Sequence, residues 1–155
     1  MRQEPLEIYV SSAFPNNGTR QVAVRSAGLP SDDPCYFEDE VVVEENSVLK
    51  YPVERCMMQR GSGAARLAIN IAEKTGRLIL VYGMNRDVHT ADAFLGIPDQ
   101  YAGTKYQTAS YAPSHIGSQF SIVALENDTT VTLTFADRND IINEQGKSSF
   151  HGEKI

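Results

Sequence analysis

Apolar residues in this chain recur mostly at every second position, in short segments separated by turn-forming residues, and this spacing leaves few fold classes open. The clearest case is residues 130–135, where Val131, Leu133 and Phe135 alternate with Thr130, Thr132 and Thr134. Such alternation describes a half-buried strand with one apolar face and one threonine face. Comparable segments lie at residues 7–14, 20–26, 40–43, 48–53, 77–82 and 119–125. Between them stand Pro15-Asn16-Asn17-Gly18, Pro30-Ser31-Asp32-Asp33-Pro34, Gly61-Ser62-Gly63 and Asn127-Asp128, all stretches that turn a chain. Many short strands with frequent turns predict an all-β fold, an antiparallel β-sandwich.

Residues 64–74 admit two readings. They are rich in helix formers and are followed by Gly76, a helix stop. Against a helix, Leu67, Ile69 and Ile71 alternate strictly with Ala68 and Asn70, and a new strand begins at Arg77, so Glu73-Lys74-Thr75-Gly76 serves as a hairpin turn. The alternation favours a strand. A second hairpin is expected around Glu45-Asn46, between the strand ending at Val43 and the one beginning at Val48. Gly83, directly after the apolar run 78–81, marks a bulge or the exit of the chain from its sheet, and residues 86–99 read as a polar and aromatic crossover.

At 155 residues the chain has the size of one domain. Residues 1–5 are charged and polar, a short tail with no signal-peptide pattern, and residues 6–155 read as a single sandwich module. Lys and Arg number 14 against 20 Asp and Glu, a net charge of −6 that repels phosphate and disfavours nucleic acid as a partner. Apolar runs fall far short of the ~20 residues that span a bilayer as a helix, so no membrane insertion is expected.

Several short motifs, in order and spacing, resemble the N-terminal domain family of IgGFc-binding proteins. They are Val81-Tyr82-Gly83-Met84-Asn85, Asp92-Ala93-Phe94-Leu95-Gly96-Ile97-Pro98 and Gly103-Thr104-Lys105-Tyr106, followed by Ser110-Tyr111, residues 118–124 and Asn127-Asp128-Thr129-Thr130-Val131. The resemblance spans roughly residues 8–137. It implies an extracellular or secreted β-rich module of mucus-associated or cell-surface adhesive proteins, with no enzyme activity and no cofactor. Relative to the family, a strand before Leu6 is missing, and residues 151–155 look like the start of a strand that is cut off. The resulting expectation is self-association through open sheet edges near residues 6–10 or at the C-terminus.

Cys35 and Cys56 are the only cysteines. A hairpin pivoting at Glu45-Asn46 brings them near each other, whereas two separate thiols suit a reducing compartment. The extracellular character implied by the resemblance favours the bridge. Asn17 and Asn127 each begin an acceptor triplet for N-glycosylation in a predicted turn, a match also expected by chance. His89, His115 and His151 lack metal-ligand spacing, Asp137-Arg138-Asn139-Asp140 lacks the further ligands of a calcium loop, and Ser110, Ser114 and His115 lack a nucleophile elbow. Arg86, Asp87, His89, Thr90 and Asp92 form the densest polar group outside the strands, either a recognition loop or a solvated crossover in which Asp92 caps a turn. The leading functional expectation is a noncatalytic binding or adhesion module for a protein or glycoprotein. The alternative is a carbohydrate-binding sandwich using Tyr101, Tyr106 and Tyr111.

Overall fold

In the computed structural model the described residues are 6–13, 18–59, 61, 63–86, 91–108 and 120–134. The chain divides into two compact units, Met1–Gly61 with Ala65–Ala109, and Ser62–Ala64 with Ser110–Ile155. The first unit holds seven strands among its described residues: β1 (Glu7–Ser12), β2 (Arg20–Ala27), β3 (Glu38–Val43), β4 (Val48–Pro52), β5 (Ala68–Glu73), β6 (Ile79–Arg86) and β7 (Ala91–Leu95). All pairings are antiparallel. They form a four-stranded sheet in the order β4-β1-β6-β7 and a three-stranded sheet in the order β3-β2-β5. The fold is therefore the all-β sandwich that the alternation predicts. No helix among the described residues is long and apolar enough to cross a membrane.

The two central strands, β1 and β2, supply the core because each is flanked on both sides. Ile8 and Val10 of β1 meet Val22 and Val24 of β2, with Val43, Val53 and Met57 completing the cluster. Each fully buried apolar side chain of this size contributes about 1.5–3 kcal/mol. Arg20 is also fully buried at the start of β2. Its guanidinium donates to the carbonyls of Gly18 at 2.8 Å and Thr19 at 3.1 Å, and to Ser12 Oγ at 3.4 Å, which links the far end of β1 to the start of β2.

Strand identity follows the sequence closely, whereas strand partnership departs from it. The expected hairpin at Glu45-Asn46 is instead a corner between sheets, since β3 pairs with β2 and β4 pairs with β1. Ser47 N–H donates to Glu44 O at 3.2 Å, and Asn46 takes φ 55°. In a hairpin Val43 and Val48 would share a face and a degree of burial, yet Val43 is fully buried and Val48 is 64% exposed. Likewise residues 73–76 do not close a hairpin. Residues 68–73 do form a strand, but it joins the three-stranded sheet, and the next strand crosses to the other. Turn chemistry specifies that the chain reverses; burying both inner faces decides which sheet receives it.

Gly83 is neither a bulge nor an exit. β6 runs through it to Arg86, and β7, read from the sequence as crossover, pairs with β6 so that Gly83 lies opposite Phe94. A Cβ at position 83 would overlap the Phe94 ring, so the glycine is required by close approach. Gly83→Ala is expected to destabilise by about 1 kcal/mol. In a Phe94→Ala background it should be neutral, and a double-mutant cycle by urea unfolding checks the coupling.

Two further expectations are corrected. β1, expected as an open edge, is internal, with β4 on one side and β6 on the other. Among the described residues of the second unit, neither 120–125 nor 130–134 is a strand, although the turn between them is present: Asp128 has φ 58° and Thr129 Oγ1 donates to Glu126 O at 2.7 Å. Alternation produces a strand only where a partner edge takes up the backbone hydrogen bonds, and no ladder joins these residues to another described segment.

Candidate functional site

At one side of the sandwich, the edge strands of the two sheets, β3 and β4, face each other across a cleft of about 250 Å³. Phe37 and Asp39 line it from the β3 side, and Tyr51, Pro52, Val53 and Glu54 from the β4 side. The pleat explains which residues point in. Asp39 pairs with buried Val24 and Tyr51 with buried Ile8, so both turn toward the space between the sheets. Phe37 and Tyr51 pack with ring centroids 6.1 Å apart and planes inclined by 32°.

The cleft is anionic. The Tyr51 phenol donates to Asp39 Oδ2. Burial pushes the Tyr51 pKa well above the usual phenol value, reinforced by the hydrogen bond to Asp39 and by the negative charges of Asp39 and Glu54. Tyr51 therefore stays a neutral donor at any ordinary pH. Because its folded pKa is raised, its contribution to stability is fully present below the unfolded value near 10 and is lost as pH rises above it. Tyr51→Phe is thus expected to make the alkaline fall in stability shallower, as read by urea unfolding at about pH 8 and about pH 11. A residual slope should remain, since hydrogen bonds to Glu7 and Glu38 also raise the Tyr9 and Tyr36 phenols.

A disulfide between Cys35 and Cys56 clamps the cleft, with the Cα atoms 5.8 Å apart. Cys35 precedes β3, held by its own N–H on Asp33 Oδ1 at 2.7 Å, and Cys56 sits in the short 3-10 turn Arg55–Met57 after β4. The bridge joins two elements that share no ladder. It is present as expected, although the geometry that brings the cysteines together is an inter-sheet corner rather than a hairpin.

The other sequence candidates do not converge on this cleft. Arg86 ends β6 and Asp92 lies in β7, both exposed, while Asp87, His89 and Thr90 lie outside the described residues. The Asp92 carboxylate accepts from the Ala93 N–H at 2.8 Å, capping backbone within the strand itself. Asn127 is exposed in its turn; Asn17 lies outside the described residues, as do His115, His151, Ser110, Ser114 and 137–140. Tyr101 and Tyr106 are each 70% exposed, and Gly103 N–H donates to the Tyr106 hydroxyl at 2.6 Å; Tyr111 lies outside the described residues. No group of three or more His, Cys, Asp or Glu able to hold a metal occurs among the described residues.

Phe37, Asp39, Tyr51 and Glu54 went unread in the sequence because they belong to different sheets. The bridge itself was the usable signal: Cys35 stands two residues before Phe37 and Cys56 two after Glu54, so closing it makes neighbours of these positions. The fold and site together define a class, a disulfide-clamped two-sheet β-sandwich with an aromatic and acidic rim. Comparison with protein-family models, with curated proteins and with solved structures finds no match to this chain.

Proposed function

We propose that this chain is a noncatalytic binding or adhesion module that works outside the cell and recognises a protein or glycoprotein partner through the cleft between β3 and β4. The observation that carries the reading is the Phe37–Tyr51 pair flanked by Asp39 and Glu54 on a disulfide-clamped rim. Aromatic faces offer contact area at low entropic cost, and fixed carboxylates give it polarity and specificity. The disulfide supports an oxidising environment. The resemblance to the IgGFc-binding N-terminal domain family supports the same assignment, and the net charge of −6 argues against a phosphate-backbone partner.

A carbohydrate-binding role is the second reading, favoured by the exposure of Tyr101 and Tyr106 on one short loop. Immobilised chain tested against a panel of secreted glycoproteins and a glycan array separates the two. Saturable protein binding that is lost in Phe37→Ala supports the cleft. Glycan binding lost in the Tyr101→Ala/Tyr106→Ala pair supports the alternative, and no saturable binding to either panel overturns both.

A further inference from the structure

Among the described residues, β3 is an edge strand of its sheet and lies directly beside the cleft. We infer that this edge takes up an extended basic segment of a partner as an added antiparallel or parallel strand, one Lys or Arg side chain entering the cleft. The inference rests on the cleft being a binding site.

The register fixes which backbone groups are available. Ser26 N–H donates to Phe37 O at 3.0 Å, and the same two-residue period pairs Val24 with Asp39, Val22 with Val41 and Arg20 with Val43. These alternate residues of β3 turn their backbone groups toward β2. The N–H and C=O of Glu38, Glu40 and Val42 therefore point away from it, along the side where the sheet ends. A strand added there gains main-chain hydrogen bonds at three positions, and its side chains alternate between the outer face and the cleft.

Charge selects the occupant. Glu38 and Glu40 flank the edge on the outer face, and Asp39 with Glu54 waits on the inner one. Glu40 is paired with Lys74 and Glu38 stands opposite Arg25 in the ladder, whereas Asp39 accepts from the Tyr51 phenol, a neutral donor that leaves the negative charge in place. A cationic side chain entering the cleft lays its stem on the Phe37 and Tyr51 rings and its head on these carboxylates. A second copy of this chain is disfavoured, since its own acidic edge would set like charges opposite each other. The inward-facing Asp39 serves the same end, as charges on edge strands prevent indiscriminate pairing.

The test uses the full chain and a short fluorescein-labelled peptide of alternating lysine and threonine, followed by fluorescence anisotropy. Saturable binding is expected, weakened at least tenfold by the Asp39→Asn/Glu54→Gln pair, whose fold is verified by circular dichroism. The same peptide with N-methyl groups on alternate backbone nitrogens keeps its charge and loses edge pairing, so it should also bind at least tenfold more weakly. Equal binding of the methylated peptide overturns the added strand, and equal binding by the double variant overturns the cleft as the cation's place. If the basic peptide fails while Phe37→Ala still abolishes capture of a glycoprotein, the inference falls and the cleft stands as a binding site. If both fail, the site falls too.

Discussion

Replacing Cys35 and Cys56 together with alanine is expected to lower the unfolding free energy by about 3 kcal/mol. The corresponding fall in Tm is on the order of 10 °C. The cysteines are 21 residues apart, and the cross-link removes the entropy of closing that loop from the unfolded chain. Its place in the fold adds a local effect. β3 and β4 belong to different sheets, so the bridge adds a covalent tie, at the end away from the corner at residues 44–47, to the Phe37–Tyr51 packing and the Tyr51–Asp39 hydrogen bond that hold the two walls of the cleft. Hydrogen exchange in the alanine pair should accelerate first around residues 35–39 and 51–56, with β1 and β2 protected until global unfolding. Chemical reduction of the unmodified chain should reproduce both results. Unchanged thermal stability on reduction would contradict a structural role for the bridge.

Six of the seven strands among the described residues are legible because β-branched and apolar residues at period two announce a half-buried strand whatever its partner. β2 shows why: Val22, Val24 and Ser26 are buried while Gln21, Arg25 and the other alternate positions face out. β7 was not legible, because Ala91-Asp92-Ala93-Phe94-Leu95 has no alternation and all five residues are exposed; it is a strand by virtue of pairing with β6. Residues 130–134 show the converse, strong alternation with no ladder to another described segment. Local pattern thus reports which face a strand could bury, and says nothing of which edge it meets. The site inherits that blindness. Tyr51 looks like an ordinary strand residue and Phe37 like the approach to one until the corner at residues 44–47 sends β3 and β4 to different sheets, and only then do Asp39 and Glu54 share a cleft.

Val22→Asp is expected to abolish or nearly abolish the folded state. Val22 is fully buried in the middle of β2, opposite Val41 on one side and Glu73 on the other. An aspartate there stands beside an existing carboxylate, and the one cation on its face, buried Arg20, is already bonded to the Gly18 and Thr19 carbonyls, so it is either ionised at a cost of several kcal/mol or protonated at the cost of a raised pKa. A penalty of about 5 kcal/mol is comparable with the whole stability of a small domain. Because protonation relieves part of it, the loss relative to the unmodified chain should be smaller at about pH 4 than at about pH 7. The control is Val48→Asp, the same chemical change on a residue of β4 that is 64% exposed, for which an effect within about 0.5 kcal/mol is expected. Urea unfolding followed by circular dichroism measures both variants. A tolerated Val22→Asp would mean that β2 presents its other face to the core, a slip of one residue that would also turn Asp39 out of the cleft.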